Sequence, residues 1–270
     1  MDDLDPQQRL RRRAELAVAA SSRAEIESLI NDSGNEVLMA LARNPHLQER
    51  DLLCLLERKD LSHEVVREVA HRPEVRRSYA VQLALVRHPQ SPRQIALPLL
   101  KFLYVFDLLR VAQSPSTPPT VQMAAEEHIL KKLVGMPRGE KMSLARRGTG
   151  RIAAVLLLTP DVELISAALD NPYLTERHLV KVLAREDLPQ ALVGLLTQHE
   201  RWCCRYDLRL ALIRHPLTPL ARVLGYLPDM AVTDLRNICL DHRMPISLRK
   251  YIQAHCAVRL NKQPGTASGG

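Results

Sequence analysis

Four soft metal-ligand side chains lie close together late in the sequence. Cys239 and His242 stand at i, i+3, and the adjacent pair His255-Cys256 follows one helix further on. Thiolate and imidazole are the donors of tetrahedral zinc, so a single helical hairpin carrying all four could hold that metal. A second cluster is the vicinal pair Cys203-Cys204 beside Trp202, with His199 close by and Arg201 and Arg205 on either side. Thiol reactivity needs an exposed, electropositive setting, and the flanking arginines are of the right type. A third chemistry is anion binding. The chain holds 30 arginines against 8 lysines and carries a net charge of +8. The planar guanidinium fork suits phosphate and carboxylate alike, although an arginine-rich codon bias would leave the same excess.

The basic residues that could form such a surface are Arg87 and Arg214, in the recurring tripeptides Arg87-His88-Pro89 and Arg214-His215-Pro216, and Arg138, Arg146, Arg147 and Arg151. The last four, with Lys141, lie in "GMPRGEKMSLARRGTGRIAA" (135–154), the most basic stretch per residue. The tripeptides read first as helix ends, where a cation offsets the macrodipole and covers free carbonyls. The glycines of 135–154 do not make a phosphate loop, because the Lys-Ser/Thr ending and a preceding strand are missing. No HExxH, GxSxG or paired-carboxylate arrangement occurs, so no catalytic residues are assigned and an enzyme is not expected.

The elements that must position these residues follow from an internal repeat. Shifting the chain by 127 positions lays "ALARNPHLQERDLLCLLERKDL" (40–61) on "AALDNPYLTERHLVKVLAREDL" (167–188), and "YAVQLALVRHPQSP" (79–92) on "YDLRLALIRHPLTP" (206–219). Residues 36–133 and 163–260 then match without a gap at about 28 positions, a self-similarity that marks repeat architectures. The comparison weakens the zinc reading: Cys239 falls on Ala112 and Cys256 on Ile129, both core types. Neither a metal nor another cofactor is expected.

Within each half an apolar stretch at helical spacing ends in a polar pair, then Pro, then a new helix start. Examples are "LARNPHL" (41–47), "LVRHPQSP" (85–92), "VAQSPSTP" (111–118), "ALDNPYL" (168–174), "LIRHPLTP" (212–219) and, more weakly, "CLDHRMP" (239–245). Proline cannot continue a helix. Ser91, Thr117 and Thr218, each followed by Pro, are expected to be N-caps with Pro at the first helical position. Apolar residues at Leu52, Leu53, Leu55 and Leu56, and at Leu179, Val180, Val182 and Leu183, give each helix one buried stripe. Aromatics make up only 3% of the chain, which argues against a β-sandwich.

The "NPxL…L" and "HPxxP…L" units resemble bacterial HEAT-like and leucine-rich-variant α-helical repeats over roughly 36–133 and 163–260. The resemblance implies a right-handed α-α superhelix, an α-solenoid of about seven or eight hairpins, used for binding and carrying no shared catalytic residues. Five segments are expected: a charged N-terminal cap (1–15), a first half-solenoid (16–133), a basic junction (134–143), a second half-solenoid (144–260) and a disordered tail (261–270). The expected function is a non-enzymatic scaffold holding a protein or acidic peptide on its concave face. The other reading is a nucleic-acid-binding HEAT-like solenoid, including the DNA-glycosylase type, against which the single Trp weighs. No membrane partner is expected, since the longest apolar run, Ile152–Leu158, is far too short to span a bilayer. Five cysteines without a disulfide pattern, and no leader-like segment before them, suit a cytoplasmic setting.

Overall fold

The computed structural model describes residues 6–241, 244 and 246–261. His242, Arg243 and Pro245, and the segments 1–5 and 262–270, lie outside them. One ligand of the zinc reading, part of the charged cap, part of the weakest repeat and nearly all of the expected tail therefore fall outside as well. Among the described residues the chain is all-helical, with no strand. It divides into two compact units, Met1–Gly135 and Met136–Gly270.

The first unit contains α1 (Pro6–Ala19), α2 (Arg23–Ile30), α3 (Asn35–Ala42), α4 (Glu49–Glu57), α5 (His63–Ala70), α6 (Pro73–Arg77), α7 (Tyr79–Arg87), α8 (Arg93–Leu99), α9 (Val105–Gln113) and α10 (Pro119–Lys132). Alternate helices pack on one another: α1, α3 and α5 form one row, and α2, α4, α7 and α9 the other. The second unit contains α11 (Arg138–Arg147), α12 (Gly150–Leu156), α13 (Val162–Leu169), α14 (Glu176–Leu183), α15 (Gln190–Gln198), α16 (Tyr206–Arg214), α17 (Leu220–Tyr226), α18 (Val232–Cys239) and α19 (Ile246–Asn261). There α11, α13 and α15 make one row, and α12, α14 and α16 the other. The apolar stripes meet between the rows. Leu41, Leu52, Leu55, Leu85 and Leu108 are fully buried in the first unit, and Leu144, Ile152, Leu192, Leu208 and Leu212 in the second. Burial of each such leucine contributes about 2 kcal/mol.

These helices are short, so their uncapped last-turn carbonyls are a large fraction of the backbone. Side chains from the next hairpin capture them. Asn44, fully buried, donates through Nδ2 to the carbonyls of Ala17 (2.8 Å) and Ala20 (2.7 Å), while its Oδ1 accepts from the His46 amide (2.7 Å). Asn171, also fully buried, does the same for Ala145 (2.7 Å), Gly148 (3.0 Å) and the Tyr173 amide (2.7 Å). His88 Nε2 meets the Arg58 carbonyl at 2.7 Å and His215 Nε2 the Arg185 carbonyl at 3.3 Å; each Nδ1 accepts an amide two residues on. Arg72 donates to the carbonyls of Ala42, Asn44 and Leu47, and Arg201 to those of Asn171 and Leu174. Asn44, Arg72, His88, Asn171 and His215, each directly before a proline, are thus clasps between successive hairpins.

The expected Ser/Thr caps are corrected. The residues at the cap positions are Pro92, Pro118 and Pro219, and none makes a side-chain cap bond. Proline's fixed φ holds an extended conformation there, and its carbonyl accepts the first helical bonds, as at Pro92 from Ile95 (2.9 Å) and Ala96 (3.0 Å). The hydroxyls one residue earlier are buried: Thr218 Oγ1 donates back to the Leu212 carbonyl at 2.6 Å, whereas Ser91 Oγ and Thr117 Oγ1 have no hydrogen-bond partner. N-caps of the expected kind occur at Ser22, Ser62, Ser78, Thr149 and Asp161, whose side chains accept helix amides.

Candidate binding groove

The arginines singled out from the sequence fall into different settings. Arg138 opens α11 and is spent on structure: it pairs with Asp161 (2.6 Å) and Glu163 (2.6 Å) at the start of α13. Its guanidinium holds the Asp161 carboxyl down at about 2. Arg146 and Arg147 occupy the exposed last turn of α11, and Arg151 the exposed first turn of α12; of these, Arg147 and Arg151 have partners. Arg87 and Arg214 are the exposed last residues of α7 and α16. Each is followed by a buried clasp histidine, so the recurring tripeptide is a helix end whose His points in and whose Arg points out.

Arg214 also lines a cavity. Between α14 and α16 runs a groove of about 470 Å³ bounded by Val180, Leu183, Ala184, Ala211, Arg214 and Pro216. It continues into about 450 Å³ lined by Glu176, Arg177, Val180, Lys181, Asp207, Leu210 and Ala211. The start of α14 lies beside the start of α16, and the two ends lie together likewise, so the helices run the same way. Their carboxylates, Glu176 and Asp207, sit in the first turns, and their cations, Lys181 and Arg214, in the last. That order complements both helix dipoles. It also gives the groove an apolar floor of Val180, Leu210 and Ala211 with charges of both signs around it, the carboxylates of Glu176, Glu186, Asp207 and Asp241 beside the cations of Arg177, Lys181 and Arg214. Arg177, Lys181 and Arg214 form no ion pair or hydrogen bond among the described residues.

A cavity of similar volume in the first unit, about 480 Å³, lies one step along the row, between α2 and α4, and is lined by Glu27, Asn31, Arg50, Asp51, Cys54, Glu57 and Arg58. Here the cations are already neutralised: Arg50 pairs with Glu27 at 3.0 Å and Arg58 with Asp60 at 2.7 Å. The position 127 residues after Glu27 is Ala154, so Arg177, which corresponds to Arg50, has lost that counter-ion.

No family model matches this chain, and neither a curated protein nor a solved structure does. Function has to be argued from the site itself. Among the described residues no group of three or more His, Cys, Asp and Glu side chains is placed to hold a metal ion. Cys239 is half-buried with its Sγ 3.8 Å from the Arg249 carbonyl, Cys256 is buried, and His255 Nε2 is buried without a partner. Among the described residues no helix is long and apolar enough to cross a membrane. Arg177 and Lys181 were not singled out from the sequence. The only signal available was their comparison with Arg50 and Cys54 of the first repeat, and its meaning depends on a partner, Glu27, in a different helix.

Proposed function

We propose that this chain is a non-enzymatic binding scaffold: an α-solenoid of HEAT-like hairpins, produced by duplication of a unit of 127 residues. On this reading it holds an acidic segment of a partner protein against the row α12, α14 and α16. Three things support the duplication. The same clasp residues recur at equivalent positions, Asn44 with Asn171 and His88 with His215. The pair Tyr79–Asp107 recurs as Tyr206–Asp234, each at 2.5 Å. Alternate helices pack in rows in both units, the arrangement from which solenoids are built.

The observation that carries the binding role is the set of cations Arg177, Lys181 and Arg214, without an ion pair among the described residues, over an apolar floor. A partner helix or extended strand with Leu or Val toward Val180 and Ala211, and Asp or Glu toward Lys181 and Arg214, would satisfy both. Nucleic acid is the weaker fit, because the apolar floor of Val180, Leu210 and Ala211 matches an apolar side chain and not a phosphate backbone.

Fluorescence anisotropy with a labelled amphipathic Leu/Glu peptide, beside single-stranded DNA and RNA of equal length, tests the proposal. Lys181→Glu/Arg214→Glu should weaken peptide binding at least about tenfold, a loss of about 1.4 kcal/mol, and Arg146→Glu/Arg147→Glu should weaken it less. Nucleic-acid binding that persists at physiological salt and is lost in either double variant would overturn the protein-partner reading, since phosphate contacts fall steeply with salt. Failure of the peptide to bind at low salt would remove the groove as the site.

A further inference from the structure

The turn between α15 and α16 carries chemistry that the groove does not use. In the first unit the corresponding segment is the short helix α6, which ends in Arg76-Arg77; in the second it is a run of turns carrying Cys203-Cys204. Cys204 is exposed and Cys203 half-buried. Both sulfurs reach the same atom, the Glu200 carbonyl oxygen, at 3.9 Å, so the two side chains turn to the same side of the chain reversal. The turn is held from both flanks. Arg201 stacks on the Trp202 ring at 4.2 Å while donating to the carbonyls of Asn171 and Leu174, and buried Trp202 Nε1 donates to the Leu169 carbonyl at 2.9 Å. Arg209 Nε donates to the Cys203 carbonyl at 2.8 Å.

The surroundings are electropositive. Arg205 directly follows the pair and Arg222 is exposed nearby; neither has an ion pair among the described residues. Arg209 is matched by Asp229 at 2.7 Å, and the exposed Glu200 and Asp207 offset part of the remaining charge. Behind the pair, the Tyr226 hydroxyl is buried, within electrostatic reach of Cys203, and without a hydrogen-bond partner.

We propose that Cys203-Cys204 is a thiol–disulfide exchange site for small disulfides bearing carboxylates, the chemical class of glutathione disulfide. The Cys204 thiolate attacks one sulfur of the disulfide, whose S–S bond breaks, and one small thiolate leaves. The Cys203 thiolate then attacks Cys204 Sγ of the mixed disulfide and expels the second. The two cysteines lose two electrons and two protons; the small disulfide gains both and departs as two thiols. Arg205 and Arg222 draw in the carboxylates, so exchange favours an anionic disulfide over a neutral one. The second unit alone has this site, because Arg76-Arg77 stand in its place in the first.

The full chain is incubated with glutathione disulfide or with uncharged hydroxyethyl disulfide, then alkylated and digested. Trypsin cuts after Arg201 and Arg205, releasing Trp202-Cys203-Cys204-Arg205 with no other cysteine in it. The expected product is this peptide lighter by two hydrogens, formed several-fold faster with the anionic reagent. Arg205→Ala/Arg222→Ala should remove that preference, and Cys203→Ser should trap one glutathione on Cys204. A peptide that stays a dithiol while Cys54, also exposed, is modified would overturn the proposal. So would equal rates with both reagents, or a Cys203→Ser chain that keeps its helical circular dichroism yet gains no adduct at Cys204.

Discussion

The two units use one set of clasps at two levels of completeness. Arg58 and Arg185 show this most directly. Each makes a two-pronged pair with an aspartate two residues on, Asp60 or Asp187. Arg58 reaches further: its Nη1 also donates to the carbonyls of Ile30 (2.5 Å) and Asp32 (2.7 Å), closing the end of α2, and its side chain is 18% exposed against 51% for Arg185. In the first unit Arg50, Arg58 and Arg72 are spent on its own backbone and carboxylates, although Arg76, Arg77 and Arg87 stay exposed. The second has left several of its cations facing outward, along α14 and α16 and around Cys203-Cys204.

The most severe test of this equivalence is to remove the clasps that both units share. Asn44→Ala would leave two buried carbonyls and one part-buried amide without their partner, at a cost of about 3 kcal/mol, and Asn171→Ala should cost nearly the same. Urea unfolding curves of both variants measure it. A small effect in either unit would mean that the matched geometry holds no matched energy there.

Next in size is the asymmetry itself. Arg58→Ala should destabilise by about 2 kcal/mol, since two carbonyls at the end of α2 lose their donor. Arg185→Ala removes an exposed ion pair and should leave the unfolding midpoint unchanged within error. Equal losses would break the idea that the second unit is the looser of the two.

What could be read beforehand divides along the same line. Helix starts and stops were legible because proline and apolar spacing act locally, as at Asn44-Pro45 and His215-Pro216. The clasp function of Asn44 was not, because its acceptors lie 24 and 27 residues earlier in the chain. The capping role given to Ser91, Thr117 and Thr218 was misplaced by one residue, since the prolines themselves adopt the extended cap conformation. The basic stretch 135–154 was conspicuous in sequence, yet Arg138 is consumed by Asp161 and Glu163 from α13. The groove joins α14 to α16, and whether a cation there is paired depends on carboxylates in other helices, as Arg50 depends on Glu27 of α2.

A smaller effect is expected where the units match most closely. The Tyr79 hydroxyl donates to Asp107 and accepts the Tyr104 amide at 3.1 Å; Tyr206 does the same with Asp234 and the Ala231 amide at 3.0 Å. Burial, then the bond to Asp107, pushes the Tyr79 hydroxyl up to about 12. Tyr79→Phe should therefore cost about 1 kcal/mol with no change in the denaturant dependence from pH 7 to 9. The Tyr79 and Tyr104 rings lie 4.8 Å apart, a contact the second unit lacks because Ala231 replaces Tyr104. Tyr206→Phe should accordingly leave the neighbouring turn more mobile in hydrogen exchange than Tyr79→Phe does.

The smallest effect at neutral pH, and one that appears only in acid, belongs to His88. Its ring is fully buried, with Nε2 donating to the Arg58 carbonyl and Nδ1 accepting the Gln90 amide at 3.1 Å. That pattern requires the neutral ring, because a proton on Nδ1 would face another N–H. Burial, helped by Lys59 and opposed by the Arg58 carbonyl and Asp60, lowers the His88 pKa below the ordinary 6.5. Between those two values the unfolded chain binds the proton more readily than the folded one. The stabilisation is thus complete above pH 6.5, is lost as pH falls from there through the lowered folded value, and does not change further below it. His128, lowered by burial and by Lys131 and Lys132, adds a loss of the same sign. His88→Asn installs the residue that Asn44 and Asn171 provide at the same place in their clasps. It should reduce, without abolishing, the fall in urea midpoint between pH 7.5 and 5, the remainder belonging to His128. An unchanged slope would mean that acid reaches the His88 clasp through local opening of the turn at Pro89 rather than through the folded ring.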